Sequence, residues 1–189
     1  MKVLALTGMP GSGKSEIASY AKVMSVPVIR MGDMVIAEVE ERGLEPNSKN
    51  VGVIADEMRK THGKDIWARR TIEYIEKYIL PSNPDIIIID GVRGLEEIDA
   101  FRERFGDDLA ILAVHASPKT RHRRILSRMR ADDGRTMMDV VARDLRELSW
   151  GIGKVIAMAD YMIVNEGTIV ELQNSFMDII KKIRSEGAE

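Results

Sequence analysis

The sequence contains no cysteine. Disulfide frameworks, thiolate metal sites and cysteine nucleophiles are excluded at once. It also lacks a long apolar run. The longest unbroken aliphatic stretch, Ile86 to Ile89, is far too short to span a bilayer. At the N-terminus, Lys2 and the short run Val3 to Leu6 fall short of the apolar region of a signal peptide. A dominant sign of charge is missing as well. The net charge of -2 provides no global basic field to recruit nucleic acid. No internal repeat, low-complexity tract or linker interrupts the chain. What remains is 189 residues, 44% hydrophobic and 31% charged. That length supports one domain with a substantial core. The expectation is a soluble, cytoplasmic protein that does not engage membranes.

Hydrophobic periodicity alternates between strand and helix. Lys2 to Thr7 reads as a buried first strand, and Lys14 to Met24 as the helix after a glycine-rich loop. Pro27 to Ile29 is a short second strand. Gly32-Asp33 opens a helical stretch, Met34 to Arg42. Asn47 caps a helix running to about Thr61, and Asp65 caps another that stops before Pro81. Asp85 to Ile89 is apolar after its first residue, as a central parallel strand should be. Leu95 to Phe105 is amphipathic helix, and Leu109 to Val114 is strand. Pro118 suits a first helical turn, and that helix runs to about Arg130. Asp132-Asp133-Gly134 is a turn, Met137 to Leu148 helix, and Tyr161 to Val164 a last strand. Thr168 caps a final helix with Leu172, Phe176, Ile179 and Ile183 on one face. Such alternation predicts an α/β fold with a parallel sheet covered on both faces.

The loop Gly8-Met9-Pro10-Gly11-Ser12-Gly13-Lys14-Ser15 fulfils the pattern G-x-x-x-x-G-K-[ST], the Walker A motif, between a strand and a helix. Glycines let the backbone curl so that successive N–H groups face phosphate oxygens. The helix that follows adds free N–H groups and its dipole. Lys14 places a charge on the outer phosphates, and the Ser15 hydroxyl is a magnesium ligand. The ligand expected is ATP with Mg2+.

Asp90 closes the run Ile86 to Ile89 and so stands at the carboxyl end of a buried strand. Ligands of open parallel sheets gather at that edge. A carboxylate there holds magnesium, directly or through water; its other reading is a cap on the turn through Gly91. Arg93 follows three residues later, within reach of phosphate on the substrate side. From Arg121 to Arg146 there are eight arginines against four carboxylates. At 100° per residue, Arg121, Arg124 and Arg128 share one side of a helix, with Arg123 and Arg130 facing away. Phosphoryl transfer needs positive charge around the transferred group and exclusion of water. An arginine-bearing segment turning at Asp132-Asp133-Gly134 reads as a lid over residues 121 to 146, with Arg128 and Arg130 as catalytic candidates. Its other reading is a solvated helix face with pairs such as Arg143–Glu147.

These residues resemble the nucleoside monophosphate kinase group of P-loop proteins, including adenylate kinase and dephospho-CoA kinase. They look most like an uncharacterised archaeal P-loop family of nucleotide kinases related to CMP and AMP kinases. The resemblance covers nearly the whole chain. It runs from the phosphate loop through Met31-Gly32-Asp33-Met34 and Asp90-Gly91-Val92-Arg93 to Arg128-x-Arg130-x-Asp132-Asp133, Arg143-Asp144-x-Arg146-Glu147 and Ala159-Asp160-Tyr161-x-Ile163-x-Asn165. It implies a central five-stranded parallel sheet, an acceptor-binding helical region over about 31 to 80, and a lid. Asp33 resembles the aspartate that contacts the accepting hydroxyl in dephospho-CoA kinase. Asn165 stands near where such kinases contact adenine through loop backbone. The sequence also departs from adenylate kinase. Ile36 replaces an arginine, the aspartate-glycine-aromatic-proline-arginine motif is shortened, and the lid sequence is absent. Arg30, Arg59, Arg69 and Arg70 are candidate replacements on the acceptor side.

Other residues invite weaker readings. His115 follows a strand toward the same edge. Trp67 and Trp150 either pack or stack a base. Met31 and Met34 flank the acceptor region, and Gly151-Ile152-Gly153 reads as a hinge. The leading function is a transferase moving the γ-phosphoryl of ATP to a nucleotide or nucleotide-like small molecule. Lys14, Asp33, Arg93, Arg128 and Arg130 would carry catalysis, with Ser15 and Asp90 on the metal. The alternatives are an ATP-binding regulatory or assembly factor on a kinase scaffold, and a nucleic-acid end kinase using the local basic patch. A regulatory GTPase is disfavoured, because Ile163-Val164-Asn165-Glu166-Gly167 replaces the asparagine-lysine-x-aspartate guanine reader. A monomer or homodimer is expected.

Overall fold

The computed structural model describes residues 1–128 and 136–186. Five strands form one sheet: β1 Lys2–Thr7, β2 Val28–Arg30, β3 Ile86–Asp90, β4 Leu109–His115 and β5 Tyr161–Val164. Every neighbouring pair is parallel, in the order β2-β3-β1-β4-β5. The central strand β1 lies between β3 and β4. The chain therefore leaves β1 toward one edge for β2 and β3, then returns across it to β4 and β5. That reversal opens a crevice at the carboxyl end of β1, where the glycine-rich loop begins.

Nine α-helices are described: α1 Lys14–Val23, α2 Met31–Glu41, α3 Ser48–His62, α4 Ile66–Tyr74, α5 Leu95–Phe105, α6 Pro118–Arg128, α7 Met137–Ser149, α8 Ile152–Ala157 and α9 Ile169–Glu186. Alternating side chains of each strand feed two cores. Ile87 and Ile89 join Val3, Ala5 and Ile111 beneath α2, α3, α4, α5 and α8. Ile86 and Ile88 join Leu4, Leu6 and Leu112 beneath α1 and α9, with Phe176 and Ile180. The four isoleucines are fully buried because both faces of β3 are covered. The fold is the three-layer P-loop arrangement that the alternating pattern predicts.

Boundaries differ from the sequence expectation in informative places. Asn47 does cap α3, its side chain accepting from the Asn50 N–H at 2.9 Å. Asp65 makes no cap; its carboxylate instead pairs with Arg69 at 3.0 Å. Helix α2 starts at Met31, so Gly32 and Asp33 lie inside its first turn. The helix expected to run up to Pro81 ends at Tyr74 and continues as a π-turn, Ile75–Ile79, which buries Ile75. The glycine pair expected as a hinge instead frames α8. Gly151 takes φ 103 as its N-cap, and Ile152 and Val155 are buried. Among the described residues no helix is long and apolar enough to cross a membrane.

Candidate functional site

The phosphate loop is held open by neighbours that occupy the space where side chains would be. Gly8 has φ 144, and an added Cβ would meet the Val114 carbonyl at 2.2 Å. Gly13 caps α1 at φ 113, and a Cβ there would meet Asn165 Nδ2 at 2.3 Å. Only glycine combines that left-handed backbone with such close approach. The loop carbonyls are gripped from below. Asn165 Nδ2 donates to the Ser12 carbonyl at 2.7 Å, and Arg121 Nη1 donates to the Pro10 carbonyl at 3.0 Å. The Ser12 N–H donates back to the Met9 carbonyl at 3.1 Å. These bonds fix the loop backbone from outside the crevice and occupy its carbonyls rather than its N–H groups, apart from that of Ser12.

A cavity of about 500 Å³ opens there. Gly8, Pro10, Gly11, Ser12, Gly13, Lys14 and Ser15 form its floor, and Asp90, Arg93, Arg128 and Asn165 line it. Met9 is buried beneath the loop and contributes its carbonyl. Arg30, Arg124, Arg143 and Glu147 complete the charged wall. The predicted loop residues thus converge with Asp90, Arg93, Arg128 and Asn165, although 157 positions separate Gly8 from Asn165 in the chain. Asp33 stands just outside the lining, about half exposed, 3.7 Å from Arg30. Arg130 and the turn Asp132-Asp133-Gly134 lie outside the described residues.

Electrostatics inside the cavity are finely opposed. The Lys14 ammonium donates to the Gly8 carbonyl and, at 3.4 Å, to that of Met9. Withdrawal from water lowers its pKa to about 8, with Asp90 and Glu147 opposing the shift and Arg93 and Arg143 reinforcing it. Asp90 moves the other way. Burial raises its pKa above the usual carboxylate range, against the attraction of Lys14, Arg30 and Arg93. Its Oδ1 is buried and has no hydrogen-bond partner among the described residues, as has Ser12 Oγ. A buried carboxylate oxygen without a donor is costly and suits a cation. No cluster of three metal-ligating side chains exists among the described residues. A magnesium ion would therefore rest on Asp90, the Ser15 hydroxyl and ligand phosphates, the usual mix for that ion.

Two arginines of the helix side offered to a nucleotide, Arg121 and Arg124, have framework partners. Arg121 is 4% exposed and grips Asp144 with two bonds of 2.8 and 2.7 Å while it supports Pro10. His122 adds a contact to the same carboxylate at 2.9 Å. Arg124 reaches the Asn165 carbonyl at 3.0 Å. The expected Arg143–Glu147 pair gives way to a bond of 2.7 Å between Arg93 Nε and Glu147. Burial works against the Arg93 charge, but Glu147, Glu97 and Asp90 together outweigh it and raise the pKa. Asp144 and Glu147 were missed because helix α7 is inverted. It turns Val140, Asp144 and Glu147 inward and leaves Met138, Leu145 and Leu148 exposed. The i, i+4, i+7 spacing from Val140 was the available signal.

The weaker candidates separate cleanly. His115 is exposed at the end of β4 and outside the cavity lining. Met31 and Met34 pack into the core above β3. Arg69 and Arg70 sit in ion pairs with Asp65 and Glu38. Trp67 is buried, its indole N–H on the Ala55 carbonyl at 3.3 Å. Trp150 is surrounded by the guanidinium groups of Arg59, Arg93 and Arg146, 5.0, 5.5 and 5.7 Å from the ring centre.

This architecture recurs in known proteins. Residues 7–140 match the AAA domain family. A UPF0200 protein of Methanosarcina acetivorans is 37% identical over 189 residues, covering 100% of this chain and 99% of that one. Among solved structures, TT1252 of Thermus thermophilus superposes with a TM-score of 0.68 at 17% identity, over 96% of this chain and 97% of that one. A gluconokinase of Sinorhizobium meliloti gives 0.61 at 15% identity, over 98% and 94%. These two share the fold. The chain belongs to the UPF0200 family, and its phosphate loop and surrounding sheet place it among the AAA-domain P-loop proteins.

Proposed function

We propose that this protein is an ATP-dependent phosphotransferase acting on a nucleotide or nucleotide-like small molecule. One observation carries the reading. A single cavity unites Lys14, the unpartnered Asp90 oxygen and the Arg93 guanidinium at the carboxyl edge of the sheet. The triphosphate would lie along the loop, with the backbone N–H groups of Gly11, Gly13, Lys14 and Ser15 as its donors, since the Ser12 N–H is taken by the Met9 carbonyl. The Lys14 ammonium leaves the Gly8 and Met9 carbonyls and takes up the β- and γ-phosphate oxygens. Ser15 and Asp90 would hold magnesium, which would supply neutralisation of phosphate charge. Arg93, Arg128 and Arg130 stabilise the γ-phosphoryl in transit, and Asp33 orients the acceptor. An acceptor oxygen bonds the γ-phosphorus while the bond to the β–γ bridging oxygen breaks. ADP leaves, and a hydroxyl acceptor gives its proton to the Asp33 carboxylate. The segment 121–146 acts as the lid; the Arg121–Asp144 pair ties its two ends together, and Glu147 just beyond it bonds Arg93.

The relation to CMP and AMP kinases rests on Asp33 and on Asp90-Gly91-Val92-Arg93, and the kinase fold of the gluconokinase supports the reaction class. The test is transfer of label from γ-labelled ATP to a panel of nucleoside monophosphates, dephospho-CoA, gluconate and oligonucleotide ends. Transfer to one of them is expected, with Lys14→Ala reducing it at least a hundredfold. Absence of transfer to every member, with ATP bound, would reject a kinase of this class.

One observation favours a second reading, an ATP-dependent regulatory or assembly factor. Helix α7 exposes Met138, Val141, Leu145 and Leu148 along one face, which suits an apolar partner. ATP-dependent association without turnover would select that reading.

A further inference from the structure

A second cavity, of about 400 Å³, lies on the far side of Arg93. Its walls come from α3, from the start of α5, and from the end of α7. Arg93 lines both cavities, so they meet at one guanidinium. The volume lies in the range of small-metabolite pockets.

Arg59 on α3 is one of the residues that line this cavity. Its guanidinium lies 5.0 Å from the Trp150 ring centre, and its side chain is 14% exposed. Nη2 reaches Glu97 at 3.4 Å. Nη1 is buried and has no hydrogen-bond partner among the described residues. A guanidinium stacked on an aromatic face keeps its donors free at the edge. A buried donor of this kind calls for an acceptor.

Four of the other charged residues that line the cavity, Glu97, Glu96, Lys64 and Arg93, are already engaged, and Asp56 on α3 is the remaining carboxylate in the wall. Glu97 Oε2 accepts from the backbone N–H groups of Arg93 and Gly94 at 2.8 and 3.2 Å. That carboxylate occupies the N-terminus of α5, so an incoming anion does not go there. Lys64 pairs with Glu96 at 2.8 Å at the rim. Arg93 gives its Nε to Glu147. Arg59 Nη1 is the donor left over, and Lys60 adds an exposed positive charge beside it. The three guanidiniums crowding Trp150 exclude stacking of a base as the main use of that ring. The arrangement selects an anion.

We infer that the second cavity binds an anionic group of the acceptor, a carboxylate or a phosphate, on Arg59, while Arg93 marks the passage through which the accepting atom meets the γ-phosphate. The claim rests on the phosphotransferase reading and adds the acceptor's chemical class: a small molecule with a negative group apart from its accepting atom.

The test uses the full chain saturated with a non-hydrolysable ATP analogue and magnesium, so that the phosphate loop is filled. Inorganic phosphate and succinate are titrated separately while tryptophan emission is read. A saturable change is expected for at least one of them, and it disappears in Trp150→Phe. Arg59→Gln weakens the response at least tenfold and Arg59→Lys by less, with each variant's melting transition recorded to confirm folding. Whichever anion binds tighter names the acceptor group. Lys14→Ala loses the nucleotide yet keeps the anion response, so failure of the ATP reading and failure of this one are told apart. Three results would overturn the inference: no saturable response to either anion, an unchanged titration in both Arg59 variants, or loss of the response in Lys14→Ala.

Discussion

The two cavities that meet at Arg93 are built on opposite plans. On the phosphate-loop side the bracing side chains are paired. Asn165, Arg121 and Arg124 each have carbonyl or carboxylate partners, while Asp90 Oδ1 and Ser12 Oγ, on residues that line the cavity, are buried without a hydrogen-bond partner among the described residues. On the Arg59 side the wall itself is incomplete, with one buried guanidinium nitrogen lacking an acceptor. A braced site is preorganised, so binding there spends little on reordering. An unfinished site is finished by its ligand. The difference is between a loop held in place by its neighbours and a wall whose guanidinium keeps a donor without an acceptor among the described residues.

The largest expected disturbance of this contrast comes from Arg121. Replacing it with methionine strips the donor from Pro10 and strands the buried Asp144 carboxylate. Breaking a buried pair from one side costs about 3–5 kcal/mol. For a chain of this size that lowers the melting temperature by on the order of 10 °C. ATP affinity should fall with it, while the phosphate or succinate response of the Arg59 cavity persists in the folded fraction. Arg121→Met with Asp144→Leu should recover most of the loss. Calorimetry of the single and double variants decides; equal losses would show that the pair does not brace the loop.

A smaller effect is expected from pH. Free Lys14 titrates near 8 because burial disfavours its charge, so above that pH the ammonium must regain a proton to meet the triphosphate. Affinity for ATP should therefore fall as pH rises through about 8, by up to about tenfold per pH unit, with proton uptake on binding. The free protein behaves oppositely, since its Lys14 penalty is relieved as pH rises from about 8 toward the unfolded value. Anion binding in the second cavity should stay level over the same range, because Lys14 does not line it. Titration calorimetry in buffers of different ionisation heat reads both; a flat ATP profile between pH 7 and 9 would contradict the lowered lysine.

The smallest effect belongs to the outer face of α7. Leu145→Ser removes an exposed apolar side chain from a helix whose anchors, Asp144 and Glu147, point inward. Stability should change by no more than about 0.5 kcal/mol. A clear loss in a chemical melt would mean that this face is covered in solution.

Local chemistry made the phosphate loop and the sheet legible. Gly8, Gly13, Lys14 and Ser15 stand at motif spacing, and Ile86 to Ile89 can only be a strand buried on both faces. Asp90 followed because its strand ends there. Periodicity puts Arg121, Arg124 and Arg128 on one side of a helix, yet that side divides. Arg121 braces the loop outside the cavity lining, whereas Arg124 and Arg128 line the cavity, Arg124 while bonding the Asn165 carbonyl. Which of these roles an arginine takes depends on the carboxylate or carbonyl that reaches it from another element, and periodicity carries no such information. For the same reason Arg59 looked like one of four equal candidates.

The sequence by itself determined the three-layer parallel fold and a triphosphate loop at its first strand. Both follow from short-range rules: the period of apolar residues, and the backbone freedom of glycine beside a lysine. Only the tertiary structure decided that Asn165 fills the space under Gly13, that Asp144 and Glu147 face inward, and that Arg59 ends beside Trp150 with a donor to spare. Those outcomes are pairings across α3, α6, α7 and the strand ends, and pairing is settled by which groups burial brings within hydrogen-bond reach.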